Sequence, residues 1–335
     1  DMTADTPLIE TIELKQHFPL RRGLFGGSNL VVRAVDGITI DIGRRSVLGL
    51  VGESGSGKST FGRAVMGLET PTSGSLKFDG LDIARAGSEE MKAVRRRMQM
   101  VFQDPFSSLN PRMSVANTLS VPLRFHEPGL SRQARRDRAG EMLETVGLPA
   151  RYIDRFPHEF SGGQRQRIGI ARALMVRPDF IMADEVVSAL DVSVQAQVLN
   201  LFAKLQREMQ LTMLFITHDL AVVGHVSDHV AVMYLGRIVE IAPTRALFSE
   251  PHHPYTEALL SAAPTPEARD RKKRIVLEGD IPSAVNPPSG CPFRTRCPYA
   301  LGACAEGVPV LREVGPSHRA ACIRDDLTLA AATGT

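Results

Sequence analysis

A glycine-rich segment from Gly52 to Thr60 has the composition of a phosphate-binding loop. It reads GESGSGKST and matches the pattern G-x-x-x-x-G-K-[ST], whose backbone N–H groups surround phosphate oxygens. In this pattern Lys58 contacts the terminal phosphates, and the Ser59 hydroxyl binds the accompanying Mg²⁺. The residues predicted to contact the nucleotide are Gly52, Ser54, Gly55, Ser56, Gly57, Lys58, Ser59 and Thr60.

The loop lies between a strand pattern and a helix pattern, as phosphate binding requires. The apolar run SVLGLVG leads into the loop, and Phe61, Val65 and Leu68 follow it at spacings of four and three. The N-terminus of such a helix adds a partial positive charge that favours bound phosphate. This context favours a nucleotide site over an ordinary glycine turn.

Two later apolar runs end in polar residues that suit phosphate chemistry. FIMADE reaches Asp184 and Glu185, and LFITHD reaches His218. Asp184 suits Mg²⁺ binding, Glu185 suits the polarisation of an attacking water, and His218 suits contact with a γ-phosphate. Gln103, after the apolar run MQMVF, is a candidate for sensing the metal or the water. Without the phosphate loop, ordinary strand-end or capping positions would explain these residues.

A second loop of small residues, FSGGQRQR from Phe160 to Arg167, also opens a helix pattern. Small residues and backbone N–H donors at a helix start form an anion site. One phosphate loop is enough for one nucleotide, so the second loop needs a separate explanation. In isolation it could be a flexible turn.

The alternation of strand and helix patterns predicts a mostly parallel sheet covered by helices. Between the runs FIMADE and LFITHD, apolar residues recur at helical spacing, with Asp191 as a candidate N-cap. Ligands of such sheets collect at the carboxyl ends of the strands. Lys58, Asp184 and His218 are therefore expected at that edge.

Turn residues indicate the division of the chain. A segment from about 104 to 169 is typical of helices joined by Pro and Gly turns, and prolines become dense after about residue 250. We therefore expect a cassette over residues 1–250 that contains this helical subdomain, and a C-terminal extension over residues 251–335.

Composition and charge argue against a nucleic-acid binder and against a membrane-spanning protein. Lys and Arg total 40 against 37 Asp and Glu, a net charge of +3 that is too balanced for a general nucleic-acid binder. Basic clusters at Lys92–Arg97, Arg132–Arg138 and Arg269–Arg274 are typical of solvated faces. The absence of Trp argues against base stacking. No apolar run reaches about 18 residues and the first residues lack a signal pattern, so neither a membrane span nor export is expected.

Five motifs resemble, in order and spacing, those of the ATP-binding subunits of ABC transporters. They are GESGSGKST, FSGGQRQRIGIARAL, FIMADE, SALD and FITHD. The resemblance implies an α/β fold, a P-loop ABC ATPase cassette with a RecA-like parallel sheet, an antiparallel β subdomain and a helical subdomain. It also explains the second loop, because in this family the signature loop of one subunit closes over ATP held by another.

The resemblance assigns roles to further residues. Phe18 would stack on adenine, with Phe25 as the alternative. Gln103 would belong to the loop that faces the membrane subunits, and Asp191 would touch the opposite site. The signature residues that would serve a partner's nucleotide are Ser161, Gly162, Gly163 and Gln164.

Val186 departs from the family pattern, in which a proline usually follows the glutamate. A proline at this position fixes φ and shapes the turn toward SALD, so its loss affects the expected local geometry. Glu185 itself is present, and hydrolysis is therefore expected.

Three further segments resemble the ATPases of dipeptide, oligopeptide and nickel importers. They are FQDPFSSLNPRMSV, EPHHPYTEALLSAAP and GDIPSAVNPPSGCPFRTRCPYALGAC. The resemblance implies a peripheral ATPase on the cytoplasmic face of the inner membrane that powers import of di- or oligopeptides. Its implied partners are a second, distinct ATPase, two membrane permease subunits and an external solute-binding protein. Relatives carry nickel chelates, glutathione, opines or some sugars, so the solute stays open.

Four cysteines near the end of the sequence form a candidate metal centre. Cys291, Cys297, Cys304 and Cys322 are separated by five, six and seventeen residues, which matches neither paired zinc motifs nor the usual ferredoxin runs. Four thiolates can hold a zinc ion or a [4Fe-4S] cluster, and free or oxidised thiols are the alternative. Because this branch resembles transporters in which such a set binds an iron-sulfur cluster, we expect a [4Fe-4S] cluster.

Two other classes of function are compatible with an ATPase cassette. Soluble ABC-type ATPases that act on ribosomes or DNA usually have two cassettes or a long coiled-coil insertion, whereas this sequence has one cassette and no sustained heptads. In a regulatory iron-sulfur protein the cassette would only bind ATP. The transport ATPase is the interpretation that the motifs favour.

Overall fold

The computed structural model describes residues 6–20, 30–104, 108–262 and 275–331. The strands are β1 (Ile9–Pro19), β2 (Val31–Ile42), β3 (Val47–Val51), β4 (Ser73–Phe78), β5 (Leu81–Asp82), β6 (Met98–Val101), β7 (Phe180–Asp184), β8 (Thr212–Thr217), β9 (His229–Tyr234), β10 (Arg237–Pro243), β11 (Arg312–Gly315) and β12 (His318–Ala320). The helices are α1 (Lys58–Val65), α2 (Ser88–Arg97), α3 (Val115–His126), α4 (Arg132–Thr145), α5 (Gly162–Leu174), α6 (Val192–Met209), α7 (Leu220–Val226), α8 (Thr244–Ser249) and α9 (Pro254–Ala262). Short 3₁₀ helices occur at Ala150–Asp154, Pro157–Glu159 and Gly302–Ala305.

The chain forms two compact units. The described residues of Asp1–Ile42, Val47–Ala84 and Ile216–Thr335 form the first unit, and those of Gly43–Ser46 and Arg85–Phe215 form the second. Within the described ranges, no helix is both long enough and apolar enough to cross a bilayer.

The first unit contains two sets of neighbouring strands. One is an antiparallel sheet in the order β2-β1-β4-β5, which is the expected antiparallel β subdomain. In the other set the order is β11-β12-β10-β9-β3, with β3 and β9 parallel and Leu50 opposite Ala231. The remaining neighbours of this set are antiparallel.

The second unit contains β6, β7 and the first four residues of β8, in the order β8-β7-β6, with β6 and β7 parallel. Its helices α3, α4 and α5 contact one another. The segment predicted as helical, about 104–169, contains α3, α4 and the start of α5.

Burial explains why three apolar runs form central strands. Every residue of β3, β7 and β8 is buried. Such continuous burial is typical of strands in a largely parallel sheet that is covered on both faces. The predicted α/β class is confirmed.

The helix that follows the phosphate loop is shorter than the sequence pattern suggested. Helix α1 ends at Val65, and Leu68 lies beyond it with 58% of its surface exposed. Gly67 has φ of 63°, a left-handed conformation that commonly ends helices. The helix pattern is confirmed for Phe61 and Val65, whereas its extension to Leu68 is wrong.

A fully buried carboxylate joins three parts of the first unit. Glu240 of β10 has no exposed surface, and it accepts hydrogen bonds from the backbone N–H groups of His252 and His253 at 2.7 and 3.0 Å. Nε2 of His318 lies 2.7 Å from Oε1 of Glu240. The carboxylate thus holds the start of α9 and the start of β12 against β10.

We expect Glu240→Ala to lower the free energy of unfolding by about 3–5 kcal/mol, because two backbone N–H groups and the His318 ring lose their partner beside a fully buried position. Denaturant unfolding of the purified chain measures this change. Glu250→Ala is the matched control, since that side chain is 79% exposed and its removal should change stability by less than about 0.5 kcal/mol. Equal effects of the two variants would contradict this account.

Candidate nucleotide-binding site

The phosphate loop connects β3 to α1 in the first unit. Gly57, at the N-cap of α1, has φ of 104°, which side chains rarely adopt. A Cβ atom at this position would also lie 2.0 Å from the carbonyl oxygen of Ala34. The loop therefore requires glycine here, and α1 begins directly after it with its N-terminus at the loop, as anion binding requires.

Lys58 is the first residue of α1, and its amine lies within the loop. Only 5% of the residue is exposed. Its Nζ donates hydrogen bonds to the carbonyl oxygens of Gly52 and Glu53 at 2.8 and 2.9 Å. The loop thus carries a buried ammonium group beside the backbone that is predicted to surround phosphate.

In the second unit, Gln103 contacts Glu185, the residue predicted to polarise the attacking water. Asp184, the predicted Mg²⁺ ligand, precedes Glu185 in the chain. Asp184 is the last residue of β7 and is 8% exposed. Glu185 follows in a left-handed conformation, with φ of 47°. Nε2 of Gln103 donates a hydrogen bond to Oε2 of Glu185 at 3.1 Å. The structure therefore brings Gln103 and Glu185 together, although 82 residues separate them.

The turn after Glu185 is closed without the proline of the family pattern. The N–H and the hydroxyl of Ser188 both bond to the carbonyl oxygen of Glu185, at 3.1 and 2.9 Å. Val186 is 1% exposed, so it fills the protein interior at the position of the expected proline. Backbone hydrogen bonds and apolar packing hold this turn.

The second small-residue loop begins α5 with a reciprocal cap. Oγ of Ser161 accepts the N–H of Gln164 at 3.4 Å, and Oε1 of Gln164 accepts the N–H of Ser161 at 3.1 Å. A Cβ on Gly163 would lie 2.4 Å from Cγ1 of Val194 in α6. Gly163 therefore permits α5 and α6 to approach closely at this point.

Three further predicted site residues, His218, Asp191 and Phe18, lie on or beside different elements of the fold. His218 is exposed and directly follows β8. Asp191 is the N-cap residue of α6, but its side chain makes no capping hydrogen bond. Phe18 lies in β1 and is 37% exposed. Phe25 lies outside the described residues.

Comparison with protein-family models finds two matches. The model described as ABC transporter matches residues 35–188, and the model described as oligopeptide/dipeptide transporter, C-terminal region, matches residues 239–304. The oligopeptide transport ATP-binding protein OppF of Salmonella typhimurium is 51% identical over 323 residues, which cover 95% of this chain and 96% of OppF. The chain belongs to the ABC transporter family.

Further similarities agree with this family. The oligopeptide transport ATP-binding protein AppF of Bacillus subtilis is 50% identical over 318 residues, covering 94% of this chain and 96% of AppF. Among solved structures, the dimeric ATP-binding cassette MJ0796 bound to ADP and Pi has a TM-score of 0.62 and 28% identity, covering 71% of this chain and 99% of that one. As an ABC ATPase, the chain binds ATP.

Two side chains that contact the phosphate loop of this ABC ATPase were not predicted from the sequence. Arg296 pairs with the carboxylate of Glu53, and the hydroxyl of Tyr255 accepts the N–H of Glu53. The motif contains Glu53, but no periodicity links it to an arginine 243 residues later. The sequence therefore carried no signal for this contact.

None of the four cysteines, all of which lie among the described residues, forms a disulfide. Burial raises the pKa of Cys291 and Cys322, and it raises that of Cys297 to about 11; neighbouring cysteine thiols act in the same direction. In the part of the chain that the structure describes, no group of three or more His, Cys, Asp or Glu residues is arranged to hold a metal ion. The expected cluster stays a prediction.

We expect Gly163→Ala to destabilise the chain by about 1–3 kcal/mol, because the new methyl group overlaps Val194 in a packed helix contact. Urea unfolding of the purified chain measures the change.

Gly169→Ala is the control within the same helix. Nothing lies within 4 Å of a Cβ at this position, so the change should be neutral or stabilise by about 0.5–1 kcal/mol. The double variant Gly163→Ala/Val194→Ala should recover part of the lost stability. If it is less stable than the sum of the two single changes, the steric explanation is wrong.

Proposed function

We propose that this chain is the ATP-hydrolysing subunit of an importer of di- or oligopeptides. The match of residues 239–304 to the C-terminal region of oligopeptide and dipeptide transporters carries the proposal. Relatives named as oligopeptide transport ATP-binding proteins, at 50% and 51% identity, support it. The division into a cassette (1–250), its helical subdomain (about 104–169) and an extension (251–335) belongs to the same proposal. Nickel chelates, glutathione and opines are the alternative solutes.

The proposed hydrolysis uses side chains at the ends of the central strands. Glu185 orients an attacking water and accepts its proton, and the 3.1 Å hydrogen bond from Gln103 supports this role by fixing the carboxylate. Ser59, Asp184 and Gln103 are the proposed Mg²⁺ ligands, and oxygen donors suit this ion. When bound, Mg²⁺ neutralises charge that develops on the transferred phosphoryl group. His218 is proposed to contact the γ-phosphate.

The signature loop is proposed to serve the nucleotide of a second, similar but distinct ATPase. Ser161, Gly162, Gly163 and Gln164 lie at the N-terminus of α5, where backbone dipoles favour an anion. Asp191 is proposed to touch the opposite site, and Phe18 to stack on adenine. Two subunits that share two nucleotides are stabilised as a closed dimer by ATP, and hydrolysis removes that stabilisation.

The proposed assembly contains this ATPase, its ATPase partner, two transmembrane permease subunits and an external solute-binding protein. It would place the chain peripherally on the cytoplasmic face of the inner membrane. The family match of the C-terminal region supports this arrangement, since the matching model is that of peptide transporters.

The test starts from the complex purified from native membranes in mild detergent and identifies its subunits by mass spectrometry. We expect two permeases, a second ATPase and a peptide-binding protein. In this complex Glu185→Gln should lower ATP turnover by roughly 10²-fold or more while ATP binding is retained, because proton acceptance is lost and the phosphate loop is intact. Glu208→Gln, on an exposed pair with Lys204, is the matched control and should leave turnover unchanged.

One result would overturn this function, and another would overturn the mechanism proposed for it. Recovery of ribosomal or DNA-repair proteins without a membrane partner would favour a soluble ABC ATPase. Unchanged turnover in Glu185→Gln would remove the role proposed for Glu185.

We also propose that the four thiols bind a [4Fe-4S] cluster. The backbone N–H of Cys291 donates to the carbonyl oxygen of Cys304 at 2.8 Å, which brings two of the four cysteines together. Cys291 and Cys297 also pack against the same apolar cluster. A zinc ion requires four sulfurs at about 2.3 Å from one point, whereas a cluster of four irons accepts ligands that are farther apart. The resemblance of this segment to transporters in which such a cysteine set binds an iron-sulfur cluster favours the cluster over zinc.

Anaerobic purification should yield about four irons and about four acid-labile sulfides per chain, and Cys304→Ser should lose most of both. The raised pKa values of Cys291, Cys297 and Cys322 keep these thiols protonated at neutral pH, so reconstitution should improve as pH rises. One zinc per chain without sulfide would contradict the cluster, as would full iron content in Cys304→Ser.

A further inference from the structure

Two side chains from the C-terminal part of the chain hold the phosphate loop at Glu53, its second residue. Arg296 donates two hydrogen bonds to the Glu53 carboxylate, from Nη1 to Oε2 at 2.6 Å and from Nη2 to Oε1 at 3.1 Å. The backbone N–H of Glu53 donates to the hydroxyl of Tyr255 at 2.8 Å. Both the side chain and the backbone of Glu53 are thus fixed by residues outside the loop.

Glu53 connects these contacts to the lysine of the loop. Its carbonyl oxygen accepts hydrogen bonds from Nζ of Lys58 at 2.9 Å and from the N–H of Ser56 at 3.2 Å. A displacement of Glu53 would therefore move an acceptor of the Lys58 ammonium and one turn of the loop backbone. The path from Arg296 to Lys58 passes through a single residue.

Arg296 and Tyr255 are themselves held in place. The Arg296 side chain is only 7% exposed, so its paired hydrogen bonds are screened less than those of a surface ion pair. Tyr255 is fully buried, and its ring lies 4.7 Å from that of Tyr234 and 5.3 Å from that of Phe293. Rigid packing lets these side chains define the position of Glu53.

Arg296 belongs to the segment that carries the cysteines. It directly precedes Cys297, and its N–H bonds to the carbonyl oxygen of Phe293 at 2.9 Å. The N–H of Cys291 bonds to the carbonyl oxygen of Cys304 at 2.8 Å, which closes the segment on itself. Folding of this segment therefore fixes the position of the Arg296 guanidinium. The hydrogen bonds of the guanidinium to Glu53 in turn help to hold the segment in place.

We propose that Arg296 and Tyr255 are positioning residues for ATP binding, through which the cysteine segment keeps the phosphate loop in its nucleotide-binding shape. Neither residue is assigned contact with the reacting atoms; both act through Glu53. The inference requires only the ABC ATPase site, so it is independent of the transported solute and of whether the thiols hold a cluster.

The first test measures the affinity of the purified full chain for ATP by isothermal titration calorimetry. Arg296→Gln should weaken ATP binding by about tenfold, because the loop loses a buried bidentate contact. In the assembled transporter the KM for ATP should rise similarly, while kcat at saturating ATP changes by less than about twofold. Arg296→Lys keeps the charge but loses the planar fork, so its affinity should be intermediate.

Matched variants distinguish loss of the Arg296–Glu53 contact from a general effect on ATP affinity of changing this segment. Arg294→Gln changes an arginine of the same segment whose side chain bonds to Ser289, and ATP affinity should not change. Glu53→Gln/Arg296→Gln should bind ATP no more weakly than Glu53→Gln alone, since the two residues act as one pair. Tyr255→Phe removes only the hydroxyl acceptor and should weaken binding by roughly threefold. This variant and Arg296→Lys keep the test decisive if Arg296→Gln does not fold.

Hydrogen exchange provides a readout that a purely structural role would not move. Because coupling between two sites is reciprocal, ATP should slow amide exchange in residues 291–304 of the natural chain and should not do so in Arg296→Gln. Normal ATP affinity in a folded Arg296→Gln with a lowered melting temperature would overturn the proposal. Amide exchange in residues 291–304 that is independent of ATP would also overturn it.

Discussion

The shape of the phosphate loop depends on close backbone contacts at two glycines, Gly52 and Gly57, which leave no space for a side chain there. A Cβ on Gly52 would lie 2.2 Å from the carbonyl oxygen of Met233, and one on Gly57 would lie 2.0 Å from that of Ala34. The backbone at Met233 and Ala34 thus packs against the loop. The hydrogen bonds of Glu53 with Arg296 and Tyr255 also hold the loop in place. These contacts hold the loop backbone in one shape, which lowers the entropic cost of ordering it when a ligand binds.

Local patterns in the sequence were sufficient to predict the central strands and the phosphate loop. The buried strands β3, β7 and β8 were predictable because each is a continuous apolar run, followed by the glycine loop in β3 and by polar residues in β7 and β8. The phosphate loop was predictable because its glycine spacing has one main use. The error at Leu68 has a local cause as well. Apolar spacing continued past Gly67, and the left-handed glycine ended the helix first.

Contacts between distant parts of the chain could not be predicted in the same way. The pairs Glu53–Arg296 and Glu240–His318 join residues 243 and 78 positions apart, and neither pair follows a periodic pattern. Which charges meet depends on how strands and loops pack, and each residue taken alone is compatible with a solvated face. The chemistry of the cysteines was predictable only in part. Their residue type indicated metal chemistry, whereas their spacing did not decide which metal they would hold.

The distance along the chain between Glu53 and Arg296 also has a consequence for the order in which the protein is made. All the residues of the phosphate loop leave the ribosome long before the arginine that fixes them has been synthesised. At about 5–20 residues per second, the interval is roughly 10–50 s. During translation the nascent chain therefore contains a complete phosphate-loop sequence without its final support, and the loop acquires that support only when the last part of the protein has folded onto it.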